Sequence, residues 1–267
     1  MKIITSVVNN IGFIEIQHHT LKKHFKGDYE FIVFNDAKGF PDLTNGGDVT
    51  LRGKITTTCA ALGITCIEIP NSHHRNMGMS DRHADTFNLH VMKYQKQNPD
   101  TYLLLDSDMF LVRDFDPSIY TAYECAIVPQ TRGNETYFWP GLCFMDFTKI
   151  QNSHLLDWRT APGFDSGGMM RSWLSMQTPE SIYTIRHLPS CTWAVAEIPD
   201  SLRENEKLVN FLTTDVRNVN GKFFCELYDG VFLHYRAGGN WRGEGLGLHL
   251  RLTDALKSAL TNSTTSA

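Results

Sequence analysis

The chain has 267 residues, 42% hydrophobic and 20% charged, an ordinary globular composition that excludes fibrous, collagen-like and disordered classes. Its 25 Lys and Arg against 29 Asp and Glu leave a net charge of −4. No field exists for wholesale binding of nucleic acid or an anionic membrane, so any phosphate site must be local.

Residues 3–8 are a β-branched run that predicts a strand, and residues 11–25 carry apolar side chains near helical spacing, with Lys22, Lys23 and Lys26 at the end. A second apolar run at 29–34 closes at Asn35-Asp36, residues 50–62 predict a helix stopped by Gly63, and 65–69 predict a third strand. This alternation predicts β-α-β units, hence a parallel sheet with helices on both faces and ligands at its carboxyl edge. Residues 80–97 read as a helix with Ser80 as N-cap and Ala84, Phe87, Val91 and Tyr94 on one face. A buried strand at 101–105 then runs into Asp106-Ser107-Asp108 before an apolar run resumes at 109–112. Further on come β-rich stretches at 125–128 and 137–147 and a Gly-rich turn opening a helix over 163–176. A strand at 231–234 enters a second Gly-rich loop.

Cys59, Cys66, Cys125, Cys143, Cys191 and Cys225 show no zinc-ligand spacing and are expected as buried free thiols. Residues 3–8 are too short for the apolar core of a signal peptide, and no run approaches the ~18 residues of a membrane span. A cytoplasmic chain without a transmembrane segment is expected.

Two carboxylates at i and i+2 after an apolar strand repel one another and are partly desolvated. A divalent cation is the natural compensation, and Mn²⁺ or Mg²⁺ accepts one or two carboxylates together with phosphate oxygens. Asp106 and Asp108 therefore suggest a metal diphosphate; the competing reading is a strand-end turn that happens to carry two acids. An EF-hand does not fit, because Phe110 and Leu111 stand where an oxygen ligand and Gly belong. His234, ending an apolar strand, either supplies an imidazole nitrogen to the ion or is a structural strand-end histidine. The set His73, His74, His83 and His90 lacks acidic neighbours in ligand spacing and makes a weak metal cluster.

On these residues the chain resembles the GT-A glycosyltransferases. Leu103-Leu104-Leu105-Asp106-Ser107-Asp108 resembles their metal motif, and Trp139-Pro140-Gly141 through Asp146 their donor-side strand. Gly163-Phe164-Asp165-Ser166-Gly167-Gly168 is similar to the opening of the acceptor-side helix. Phe232 to Tyr235 followed by Gly238-Gly239-Asn240-Trp241 is similar to the C-terminal loop of glycogenin-like members, in which a His completes the metal sphere. Three departures from that subfamily stand out: no Asn-plus-small pair before Gly141, Gly167-Gly168 in place of Asp-Gln, and no Lys before Trp241.

The resemblance implies an α/β GT-A fold, Rossmann-like, with a mixed, mostly parallel sheet flanked by helices. It implies one domain over 1–260, donor-binding over about 1–115 and acceptor-binding over about 116–260, with a polar tail at 261–267. Asp106, Asp108 and His234 would hold Mn²⁺ or Mg²⁺. Asn35, Asp36, Arg82, Ser107, Arg236, Gly238, Gly239, Asn240 and Trp241 would meet the nucleoside-diphosphate sugar, the glycines by offering backbone N–H groups to phosphate. Trp139, Gly141, Ser166 and Gly167 would line the sugar and acceptor side. Asp165, at a helix N-terminus, would accept the proton of the acceptor hydroxyl or bind the donor sugar; its bland alternative is a helix cap. The expected activity is transfer of a sugar to a hydroxyl on a glycan or protein-linked glycan. The alternatives are a dehalogenase-type phosphohydrolase with Asp106 as nucleophile and a non-catalytic nucleotide-sugar or glycan-binding module.

Overall fold

The computed structural model describes residues 1–70, 74, 77–239 and 244–261. Strand β1 (Lys2–Val7) leads through helix α1 (Ile11–His24) to β2 (Glu30–Asn35), and α2 (Leu51–Leu62) leads to β3 (Thr65–Glu68). Asn10 caps α1 by accepting from the Phe13 N–H, and Gly63 ends α2 in the left-handed region at φ 69. The next helix runs as α3 (Met79–Asp85), a π turn (Thr86–Val91) and α4 (Met92–Gln97). It starts after Gly78, not at Ser80, and no side chain caps it.

Strand β4 (Thr101–Asp106) follows, then β5 (Met109–Leu111), α5 (Ser118–Thr121) and the hairpin of β6 (Cys125–Arg132) and β7 (Glu135–Asp146). The expected helix over 163–176 is only a 3₁₀ turn (Gly168–Met170) and the four-residue α6 (Arg171–Leu174). Gly167, at φ 87, breaks it, and the chain is tied back to its neighbour segment by Gly167 N–H to the Trp158 carbonyl (2.8 Å) and Met169 N–H to the Arg159 carbonyl (3.1 Å). The remaining strands are β8 (Ile182–Thr184), β9 (His187–Leu188), β10 (Glu226–Tyr228) and β11 (Phe232–His234). The remaining helices are α7 (Asp200–Arg203), α8 (Glu206–Thr214) and α9 (Glu244–Thr261).

A seven-stranded sheet has the order β3-β2-β1-β4-β7-β6-β8. Its first four strands are parallel, β7 runs antiparallel to both β4 and β6, and β8 is parallel to β6. This is a mixed, mostly parallel α/β sheet compatible with a Rossmann-like fold. Alternation along the strands sorts the core into two layers. Ile3, Val33, Leu103 and Leu105 face α1 and α2, whereas Ile4, Ile32, Tyr102 and Leu104 face Phe87, Val91 and Met92. Helices thus cover both faces, as the alternation predicts, and each fully buried Ile, Leu or Val contributes roughly 1.5–3 kcal/mol.

A second, four-stranded antiparallel sheet has the order β5-β11-β10-β9. Its Phe110, Leu227 and Leu233 pack with Phe13 and Ile16 of α1, Leu208 and Phe211 of α8, and Leu256 of α9. Asp106-Ser107-Asp108 is the turn by which the chain leaves one sheet for the other. Of the cysteines, Cys59, Cys125, Cys143 and Cys225 are buried free thiols, Cys66 is half-buried, and Cys191 is exposed, against expectation. No helix among the described residues is long and apolar enough to cross a membrane.

Candidate metal centre

The register of the small sheet builds the centre. His234 pairs with Met109 across β11 and β5 and with Glu226 across β10, which brings the end of β11 beside the turn that ends β4. The Tyr235 N–H donates to the Asp108 carbonyl at 2.9 Å, and Gln17 of α1 brackets the turn by donating to the carbonyls of Asp106 (2.8 Å) and Met109 (3.0 Å). Ligand atoms of Asp106, Asp108 and His234 lie within 4.8 Å of one another, and this is the one such group of three among the described residues. His234 Nε2 stands 3.1 Å from Asp108 Oδ1. Adjacent corners of an octahedron with bonds of about 2.1 Å lie about 3 Å apart, so this ion pair also has a spacing compatible with two ligands of one ion. Two hard carboxylates with one imidazole fit Mn²⁺ better than Mg²⁺.

The charges are strongly perturbed. Burial, and then the Asp108 charge, push the Asp106 carboxyl above the ordinary carboxylate range. Asp108 is held below it in spite of burial, because His234 and the Gly238 N–H stabilise the anion. Burial alone would lower His234, yet Asp108 and Glu226 outweigh it and raise the imidazole to about 10. Against the opposing effect of burial, Glu226 is held low by the His187 and His234 rings that face its carboxylate.

The centre opens into a cavity of about 480 Å³ at the carboxyl edge of β1, β2 and β4. One end is walled by Ser6, Asn9, Asp36, Thr44 and Arg82, the other by Gln130, Trp139, Asp165, Ser166, His187 and Tyr228. Ser107, Arg236 and Gly239 also line it. Asp36 is buried and bonded to Lys38 and Thr86, and Arg82 makes a bidentate pair with Asp42 at 2.8 Å for both bonds. Arg236 bonds Ser190 and lies over the Phe224 ring at 4.9 Å. Trp139 packs against the His234 ring at 5.1 Å.

Other expected residues sit elsewhere. Asn35 turns to α2, donating to the Arg52 carbonyl and Thr56 Oγ1, so it is absent from the cavity wall. The Gly238 N–H, expected to face a phosphate, donates to Asp108 Oδ2 at 2.8 Å. Gly141 and Gly167 are also off the wall and serve packing. A Cβ on Gly141 would meet the Trp139 indole at 1.9 Å, and one on Gly167 would meet the Phe138 carbonyl oxygen at 2.1 Å. Asp165 precedes only the 3₁₀ turn, not a helix of useful length, and accepts from the Ser166 N–H. Asn240 and Trp241 lie outside the described residues, as does His73.

Glu226, His187 and Gln17 were missed from sequence, and His83 was read only as a member of the weak histidine cluster. His83 bonds Ser166 Oγ at 3.0 Å, linking the helix before β4 to the Asp165 loop, while His74 is taken up by Asp36, Lys38 and Asp85. The histidines expected as a weak cluster are therefore split between separate tasks. No protein-family model matches the chain, and no curated protein does.

Proposed function

We propose that the chain is a metal-dependent glycosyltransferase of the GT-A type, moving a sugar from a nucleoside-diphosphate sugar to a hydroxyl acceptor. The observation that carries this reading is the convergence of Asp106, Asp108 and His234, from two separate sheets, midway along a cavity at the carboxyl edge of the parallel strands. Asp106, Asp108 and His234 would hold Mn²⁺, or Mg²⁺, which when bound neutralises the diphosphate and stabilises the departing nucleotide. Asp36, Asn9 and Arg82 form the end of the cavity suited to the nucleoside, and Arg236 adds positive charge where the leaving group gains negative charge. At the other end Trp139 offers an aromatic face to a sugar, and Asp165 is the carboxylate available to accept the acceptor's proton or to hold the donor sugar. Fixing both substrates in one cavity supplies the orientation term.

Calorimetric titration with UDP- and GDP-sugars, with and without Mn²⁺, followed by product detection, tests the reading. Metal-dependent donor binding and a glycosylated hydroxyl product are expected. Phosphate release from simple esters, with a phosphoryl group trapped on Asp106, would replace the reading by a phosphohydrolase. Donor binding without hydrolysis or transfer would reduce it to a binding module.

A further inference from the structure

Glu226 gathers two hydrogen-bond partners and two further nitrogens at ion-pair distance around one carboxylate whose side chain is only 12% exposed. Its Oε2 accepts from the Tyr228 hydroxyl and faces His234 Nδ1, both at 2.8 Å, while its Oε1 faces His187 Nε2 and Arg236 Nε, both at 3.6 Å. Tyr228 is itself held by a stacked His187 ring, 4.5 Å away and inclined by 7°. An ionised carboxylate only accepts hydrogen bonds, so the nitrogen that faces it, Nδ1, carries a hydrogen. With Nδ1 committed to Glu226, Nε2, the atom 3.1 Å from Asp108 Oδ1, is the nitrogen that can exchange its proton for a cation. The cross-strand pairing of Glu226 with His234 makes this arrangement a property of the hairpin rather than of a mobile surface side chain.

We propose that Glu226 is the positioning residue of the metal centre: it fixes His234 with Nδ1 protonated and Nε2 aimed at the cation, and its charge makes that imidazole a stronger ligand. This rests on the reading of Asp106, Asp108 and His234 as a metal site. Outer carboxylates of this kind are worth about 10–100-fold in metal affinity. Glu226 thereby biases the centre toward cations that accept imidazole, because Mg²⁺ gains little from a nitrogen ligand.

The test uses the full chain and Mn²⁺ alone, followed by loss of the six-line spin-resonance signal of free Mn²⁺. Wild type binds, Asp108→Ala does not, and Glu226→Gln, which keeps shape but removes charge, binds about 10–100-fold more weakly. Mg²⁺, measured by competition, loses less than Mn²⁺ does. With Zn²⁺ as a diamagnetic probe, long-range ¹H–¹⁵N spectra of wild type show a slowly exchanging hydrogen on His234 Nδ1, and Glu226→Gln loses that protection. Glu226→Asp, which keeps the charge, guards against a folding defect and stays closer to wild type than Glu226→Gln in both measurements. Equal Mn²⁺ affinity in wild type and Glu226→Gln, with Nδ1 still protected, overturns the role of Glu226 and leaves the metal site standing. Absence of Mn²⁺ binding by wild type overturns both.

Discussion

Two clusters of acids and histidines follow β2 and β4, parallel strands of one sheet with β1 between them, and are balanced in opposite ways. After β2, each charge meets an opposite one: Lys38 Nζ lies 2.9 Å from Asp36, and His74 lies 3.3 Å from Asp36 and 2.6 Å from Asp85. After β4, the Asp106 carboxylate has no Lys, Arg or His nitrogen among the described residues nearer than His83 Nε2 at 3.9 Å, and it faces the cavity beside Asp108. The first cluster closes on itself; the second leaves negative charge turned toward space. Histidine content is thus a poor guide to a metal site, and local charge balance is a better one.

The sharpest way to break this contrast is to remove one member from each cluster. Asp108→Ala is expected to cost about 10²–10⁴ in turnover, or about 3–5 kcal/mol of barrier, and EDTA should do the same to wild type. Rates that survive both treatments remove the metal from the reaction. Lys38→Met should act on stability instead: Lys38 is fully buried, and without it Asp36 loses its nearest cation. Urea unfolding should register a loss of about 3–5 kcal/mol, and an unchanged midpoint would mean the first cluster is no structural unit.

Smaller effects probe how the second cluster is held. A Cβ on Gly238 would lie 2.4 Å from the Phe13 ring and 2.8 Å from Asp108 Oδ2. Gly238→Ala should therefore displace Asp108, weaken Mn²⁺ binding and destabilise the fold by about 1–3 kcal/mol, measured by titration and urea unfolding of one preparation. The smallest effect concerns the Arg82 pair on the cavity wall. Hydrogen bonding from Arg82 holds the Asp42 carboxyl well below its usual range. A depressed folded-state value contributes stability that is present above the unfolded value near 3.9 and is lost as pH falls toward the folded one. Asp42→Asn should flatten the fall of stability below about pH 4 and cost about 1 kcal/mol at neutral pH. An acid limb identical to wild type would show that the pair contributes nothing.

Much of the first half of the chain was legible because its signals are local. Apolar runs, helical spacing and Gly63 predicted β1 to β4, α1 and α2 to within one or two residues. The helix over 163–176 failed because spacing of Met and Trp says nothing of the backbone bonds that tie 167 and 169 to Trp158 and Arg159. Helix α9 was hidden by leucines at 246, 248, 250 and 252, a strand-like period of two, whereas the helix buries Leu256, Ala259 and Leu260 with His249 and Thr253.

The candidate site divides in the same way. Asp106 and Asp108 stand out from sequence alone, because two acids after an apolar strand are costly wherever that strand lies. Their company is a matter of strand pairing and loop geometry elsewhere in the chain. Glu226 lies opposite His234 only through antiparallel register, and the Gly238 N–H reaches Asp108 only after Arg236 and Ala237 take left-handed φ values of 60 and 56. Neither relation leaves a mark on neighbouring residues. Local sequence decided which strand would carry the acids, since apolar runs and charge repulsion act within a few residues. The packing of one sheet against another decided what those acids would face, since contacts across more than a hundred residues of chain exist only once it has folded.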